Sequence, residues 1–152
     1  MQVDDIDRRL LRLLQADPML STAELAAQAG MTVAPCWRRL EKLRKAGVLL
    51  GRRVVVDHRA LGYAVQVFLR INLDKTAPHA FNEFLAAARA VPEVETIQTL
   101  LGRVDIRMDV LARDLAHYQD IYKTRILALP HIADIEALML VSEVKNTEAL
   151  PL

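Results

Sequence analysis

STAELAAQAGMTVAPCWRRLEKLRKAGVLLGRR, residues 21–53, decides how this chain is read. Ser21 with Glu24 three positions later forms a capping box for one short helix, and Gly30 can close that helix in the left-handed conformation. Thr32 can cap a second helix that tolerates Pro35 in its first turn. Along that second helix Val33, Cys36, Leu40, Leu43 and Gly47 share one stripe. Ala34, Arg38, Glu41, Lys42 and Lys45 lie opposite, with Trp37 and Arg39 on the flanks. One side for packing and another for charge is the division expected of a helix-turn-helix whose second helix enters a DNA groove. A solvated surface helix would carry similar cations, but the capped partner helix and the small residues leading the second one favour the pair.

Working outward, residues 4–16 predict an earlier helix. Ile6, Leu10, Leu13 and Leu14 keep helical spacing, Asp4, Asp5 and Asp7 suit its positive end, and Asp17-Pro18 stops it. Residues 48–56 read as a strand or wing carrying Arg52 and Arg53, and residues 57–62 as a linker. From Tyr63 the period becomes two, with Tyr63, Val65, Val67, Leu69, Ile71 and Leu73 on one face. Pro78 opens a helix bearing Phe81, Phe84, Leu85, Ala88 and Val91, closed by Pro92. Strands follow at 94–101 and 104–111 around Gly102-Arg103. Asp114 then caps a helix through Leu115, Tyr118, Tyr122, Ile126 and Leu129, and a last strand covers 132–144. The fold class is therefore α+β. A winged helix-turn-helix domain occupies residues 1–50, a linker 51–62, and a βαββαβ ferredoxin-like domain 63–152, with two helices on one side of a four-stranded antiparallel sheet.

Composition narrows the function. A hydrophobic content of 53% excludes disorder, no apolar run approaches the roughly 18 residues of a membrane helix, and MQVDDIDRR is too acidic for a signal peptide, which predicts a cytoplasmic protein without a membrane partner. Cys36 is the sole cysteine and sits on the buried stripe, so it reads as a small core residue. The net charge of +1 conceals an asymmetry: residues 1–60 hold 11 Lys and Arg against 7 Asp and Glu, residues 61–152 hold 9 against 12. Between Cys36 and Arg53 seven cations face Glu41 alone, a local field suited to a polyanion. The four histidines show no metal-ligand spacing, and neither a Gly-rich phosphate loop nor a set of catalytic groups can be named; no enzyme, metal or cofactor is expected. In the last strand Ala137, Met139 and Val141 alternate with Leu138, Leu140 and Val144, so both faces are apolar. At about 25 cal/mol per Å², pairing two such sheets favours at least a homodimer, which would offer two recognition helices to one duplex.

The chain resembles the Lrp/AsnC (feast/famine) family of transcription regulators over essentially its whole length. The likeness lies in the opening DDIDRRLLRLLQADPMLS, in the helix MTVAPCWRRLEKLRKAGVL, in the loop GRVDI and in the closing SEVKNTEALPL; the spacing of Pro35, Cys36, Trp37, Arg39 and Leu40 is its most specific part. The resemblance implies that the C-terminal (RAM) domain binds an amino acid or related small molecule at a subunit interface and assembles dimers, octamers or discs. It assigns the effector loop to Leu101, Gly102, Arg103, Val104 and Asp105. Relatives usually read Gly-Asp-x-Asp-Tyr there, whereas here one acid is replaced by Arg103. Asp105 then either holds an α-ammonium or fixes the loop backbone, and Arg103 either draws in a carboxylate by a bidentate contact or stays in solvent or beside a neighbouring acid.

The expected activity is that of a sequence-specific regulator of double-stranded DNA that oligomerises and senses an amino acid or related molecule. A ligand-independent DNA-organising protein of nucleoid type is the alternative. Arg38, Arg39, Lys42, Lys45, Arg52 and Arg53 are the expected phosphate contacts. Thr32, Val33, Ala34, Pro35 and Trp37 lie nearest base edges, and Arg38 suits a bidentate contact to guanine. Trp37 can serve both packing and the DNA backbone, or packing alone.

Overall fold

α1 (Asp5–Ala16) begins at a reciprocal cap. The Asp4 carboxylate accepts from the Asp7 N–H at 2.8 Å, and the Asp7 carboxylate accepts from the Asp4 N–H at 3.2 Å. α2 (Thr22–Ala29) opens on the expected Ser21–Glu24 box and ends at Gly30, whose φ of 70° is the left-handed closure that glycine adopts without penalty. α3 (Val33–Lys45) starts after Thr32, which occupies the cap position but makes no side-chain bond to the helix. The three helices share one core of Leu10, Leu20, Leu25, Ala26, Ala29, Cys36 and Leu40. Val33, assigned to the buried stripe, is half exposed at the first position of α3.

A computed structural model describes residues 2–152, and the chain divides into two compact units. The first runs to Val55 and regains Lys145–Leu152; the second is Val56–Val144. Placing the whole of 63–152 in one domain is therefore corrected at its end. The Gln15 side chain accepts from the Leu150 N–H at 2.6 Å and donates to its carbonyl at 3.4 Å, Arg12 donates to the Leu152 carbonyl at 3.0 Å, and Glu148 pairs with Arg53. The wing is also corrected. Residues 48–56 form no strand, since a strand requires a hydrogen-bonded neighbour and none stands beside them among the described residues; Val48 and Leu49 instead donate back to the Leu43 carbonyl.

The second unit is a four-stranded antiparallel sheet in the order β2-β3-β1-β4, made of β1 (Val65–Leu73), β2 (Val94–Thr99), β3 (Ile106–Ala112) and β4 (Ile132–Met139). Val67, Leu69, Ile71 and Leu73 of β1 are buried with Ile106, Met108 and Val110 of β3 under α4 (Ala80–Ala88) and α5 (Leu115–Ile121). α4 turns Phe84 and Ala88 into that core and leaves Phe81 partly exposed, contrary to its expected inward placement. α5 likewise leaves Leu115 half exposed and continues as a π-helical turn, Tyr122–Ile126, that carries Ile126 inward. β4 ends five residues short of expectation, and β3 starts two residues late because residues 101–105 are drawn into a loop.

The tie between α1 and α3 is an ion pair. Arg39 Nη1 lies 2.7 Å from an Asp4 oxygen and 2.8 Å from an Asp7 oxygen, and Asp7 is buried. A buried carboxylate is tolerated only when its oxygens are satisfied, and here the cap and the guanidinium do so together. The Asp7 N–H holds the Asp4 carboxyl below the ordinary carboxylate range, with Arg39 adding to it. Asp7→Ala, which removes the buried carboxylate's half of the cap and of the pair while Asp4 keeps its own, is expected to cost about 1–3 kcal/mol of unfolding free energy, the side of Arg39 toward solvent keeping it below a fully buried pair. Thermal or urea unfolding checks it, and a double-mutant cycle with Arg39→Ala should show that the two losses are not additive.

Candidate functional site

Helical periodicity and the Arg39 tie together determine what α3 shows to solvent. With Cys36, Leu40 and Leu43 buried, Arg38, Lys42 and Lys45 project outward. Among the described residues none of these three side chains has an ion pair or a hydrogen bond. Together with Trp37, which is 54% exposed, and Glu41 they border one open groove. Glu41 is engaged by Arg44 at 2.7 Å one turn along, which leaves the groove with uncompensated positive charge. Thr32, Val33 and Ala34 are exposed at the N-terminal end of the helix, and Pro35 is half buried.

The other three arginines assigned to phosphates go elsewhere. Arg39 is held by Asp4 and Asp7, Arg52 donates to the Leu20 carbonyl at 3.1 Å, and Arg53 pairs with Glu148. Arg38, Lys42 and Lys45 are thus the cations of this set without a side-chain partner among the described residues, whereas Arg39, Arg52 and Arg53 each hold one. Nothing local in the sequence marks this difference, because the partner acids and carbonyls are remote along the chain; Asp7 and Arg39 are 32 residues apart.

In the second unit the predicted effector loop lies between β2 and β3. Leu101 is fully exposed, Gly102 adopts a φ of 155° that side-chain-bearing residues rarely take, Arg103 is exposed without a partner among the described residues, and Val104 is half buried. Asp105 is buried and fully engaged. Its carboxylate accepts from the Leu73 N–H at 3.0 Å and meets Lys75 Nζ at 2.9 Å, its N–H donates to the Ile71 carbonyl and to Asn72, and its carbonyl accepts from the Leu100 N–H at 2.8 Å. Of the two roles open to it, fixing the loop backbone is the one its bonds perform.

Beside this loop the uncovered face of the sheet carries residues that sequence patterning did not assign to a site. Phe68 and Leu138 are cross-strand partners, Arg107 lies 4.7 Å over the Phe68 ring, and Arg70 pairs with Glu136 at 3.0 Å. Arg107 also reaches Asp109 at 3.3 Å, whose carboxyl is pushed up by burial although Arg107 opposes that. Phe68, Arg70, Arg107 and Leu138 line one concave surface with Leu100 and Arg103. The expectation of a wholly apolar face is corrected here: β4 offers Leu138, but Arg70, Glu136 and Arg107 surround it. The period-two signal of β1 could have placed Phe68 and Arg70 on one face, and no local signal could have joined them to the loop.

Cys36 is buried and burial pushes its thiol up, which suits packing and not reaction. No group of three or more His, Cys, Asp or Glu side chains that could hold a metal is found among the described residues, nor any helix long and apolar enough to cross a membrane.

Comparison with known proteins gives matches along the chain. An AsnC-type helix-turn-helix domain matches residues 3–44, and an Lrp/AsnC ligand binding domain matches residues 66–150. The DNA-binding transcriptional activator DecR of Escherichia coli is 31% identical over 150 residues, covering 99% of each chain. The crystal structure of an AsnC family transcriptional regulator from Agrobacterium tumefaciens aligns with a TM-score of 0.87 and 32% identity over 97% of this chain and 96% of that one. A transcriptional regulator from Neisseria meningitidis, solved as a complex with L-Met, aligns with a TM-score of 0.91 and 25% identity over 99% of this chain and 97% of that one.

The Asp105 bonds predict a pH dependence. Its carboxyl is held below the ordinary value of 3.8, first by the Leu73 N–H and then by Lys75. A depressed folded-state pKa contributes stability that is fully present above 3.8 and is lost as the pH falls through the folded value. Asp105→Asn is accordingly expected to unfold at a lower temperature than the parent at neutral pH, with the gap closing in acid. A gap that stays constant from about pH 7 to about pH 2 would show that the ionised carboxylate contributes nothing.

Proposed function

The chain belongs to the Lrp/AsnC family of transcription regulators, and from that premise we propose that it binds specific double-stranded DNA sites through α3 as an oligomer whose second unit senses an amino acid or related small molecule. It is a DNA-binding regulator and not an enzyme, as members of this family are. The observation that carries the finer reading is the sorting of the basic side chains. Arg38, Lys42 and Lys45 are exposed and unpaired among the described residues on one side of α3, and Arg39, Arg52 and Arg53 are occupied within the protein.

In this reading Lys42 and Lys45 touch phosphates, and Arg38 reaches a guanine edge with its planar fork. Thr32, Val33, Ala34, Pro35 and Trp37 at the start of the helix lie nearest the bases. They carry few hydrogen-bonding groups, so DNA shape and bending supply part of the selectivity. Arg39, Arg52 and Arg53 orient the helix from within. Self-association is supported by the segment before the second unit, where Leu50, Val54 and Val55 are 92%, 88% and 79% exposed. An apolar stretch of that kind needs a cover. Small-molecule sensing is supported by the L-Met complex of the Neisseria relative and by the concave surface beside the loop in this chain.

Binding titrations over a salt series, together with selection from randomised duplexes, test the assignment. Lys45→Ala is expected to weaken all sequences alike and to reduce the salt slope by about one; Arg38→Ala is expected to relax the preference at one base position. Arg39→Ala should lower the thermal midpoint and, by loosening the orientation of α3, weaken binding without changing the salt slope. If all three variants share one salt slope and one sequence profile, the roles given to these side chains are wrong.

A further inference from the structure

The first unit holds a cavity of about 360 Å³ away from the groove of Arg38, Lys42 and Lys45. Leu11 and Leu14 of α1, Leu25 of α2, Leu40 of α3, and Leu49 and Val55 of the segment after it supply the walls. The whole lining belongs to this one unit, because Glu148 and Ala149 return to it. The volume lies at the lower end of the range of about 300–1,000 Å³ typical of small-molecule sites. No aromatic ring lines it, and of its uncharged polar side chains Gln15 is already bonded to Leu150 through both its amide oxygen and its amide nitrogen. Such walls would leave the hydroxyls of a sugar or the nitrogens of a heterocycle unsatisfied, whereas a saturated chain needs nothing from them except contact.

Charge selects the rest of the ligand. Arg44, Arg52 and Arg53 border the cavity, and Glu148 is the one acid that does so among the described residues. Glu148 pairs with Arg53, and Arg44 is held by Glu41 at 2.7 Å. Arg52 differs from both: it donates through Nη2 to the neutral Leu20 carbonyl at 3.1 Å, and its charge has no counter-ion among the described residues. The buried side-chain oxygens without a hydrogen bond among the described residues, on Glu93, Asp109 and Tyr118, all lie in the second unit, so no spare acceptor here awaits a cationic head group. We propose that this cavity is a small-molecule site in its own right and that it takes a straight-chain fatty acid of medium length, the alkyl chain against the leucines and the carboxylate on Arg52. A guanidinium with one nitrogen engaged keeps further N–H donors for a carboxylate. An alkylamine would add a positive charge beside three guanidiniums, and an alcohol would leave the Arg52 charge unmatched. Leu25 and Leu40 belong to the core that the three helices share, so an occupied cavity stabilises the DNA-binding unit itself.

The test uses the full chain with octanoate and decanoate below their micelle thresholds, each beside the alcohol and the amine of the same chain length, read by equilibrium dialysis and by the thermal midpoint. At least one acid is expected to bind once per chain, to raise the midpoint, and to bind at least about tenfold more tightly than its alcohol or amine. Arg52→Gln is expected to bring that preference below about twofold. Val55→Glu, at an exposed position of the lining, is expected to weaken the acid at least about fivefold without moving the unliganded midpoint, which keeps the test open if Arg52→Gln disturbs the fold. Equal binding of acid, alcohol and amine would overturn the role of Arg52, and a preference for the acid that survives both substitutions would overturn the site. Acids that bind only once dilution has separated copies of the chain would give the cavity to a second copy and overturn the ligand; the absence of any binding would overturn the proposal outright, with the DNA-binding reading left standing.

Discussion

One guanidinium decides which way the DNA-binding helix faces. Arg39 is gripped by Asp4 and Asp7 across 2.7 and 2.8 Å, and those same acids cap α1. α3 cannot rotate about its axis without breaking that contact and exposing Leu40 and Leu43, so Arg38, Lys42 and Lys45 are presented to solvent as a set. Burial of the stripe alone would leave some freedom of rotation. The ion pair adds direction, because Nη1 must reach two carboxylates that the cap has already oriented. The arginine expected at the phosphates is thus the one that aims the others.

A second acid does comparable work in the other unit. Asp105 satisfies the Leu73 N–H where β1 ends and returns its own N–H to Ile71 and Asn72, so the loop from Leu100 is pinned at one end and free at Arg103. The uncovered sheet face beside it combines an aromatic ring under a guanidinium with ion pairs at its border. Such a face is far from the uniformly apolar plane that strand alternation suggested.

Much of this architecture was legible because its causes are local. The Ser21–Glu24 box, the left-handed Gly30, the Asp114 cap on the His117 N–H and the period-two burial of β1 depend on residues within a few positions of one another. The failures share one cause. Residues 48–56 are rich in strand-forming valine yet lack a neighbour, β4 stops at Met139 where its pairing with β1 ends, and the tail from Lys145 leaves the sheet unit for Gln15 and Arg12. Each of these is settled by a partner that local pattern does not contain.

Read alone, the sequence determined the element types and order, the buried stripe of α3 and the concentration of positive charge between Cys36 and Arg53, because helix caps, periodicity and composition act over a few residues. Only the tertiary structure decided which of those charges are free and which are spent, and which residues gather around the loop. Arg39 meets Asp7 across 32 positions, Leu73 meets Asp105 across 32, and Gln15 meets Leu150 across 135. A charge is available for recognition only if no such distant group has already neutralised it, and that depends on the folded path of the chain.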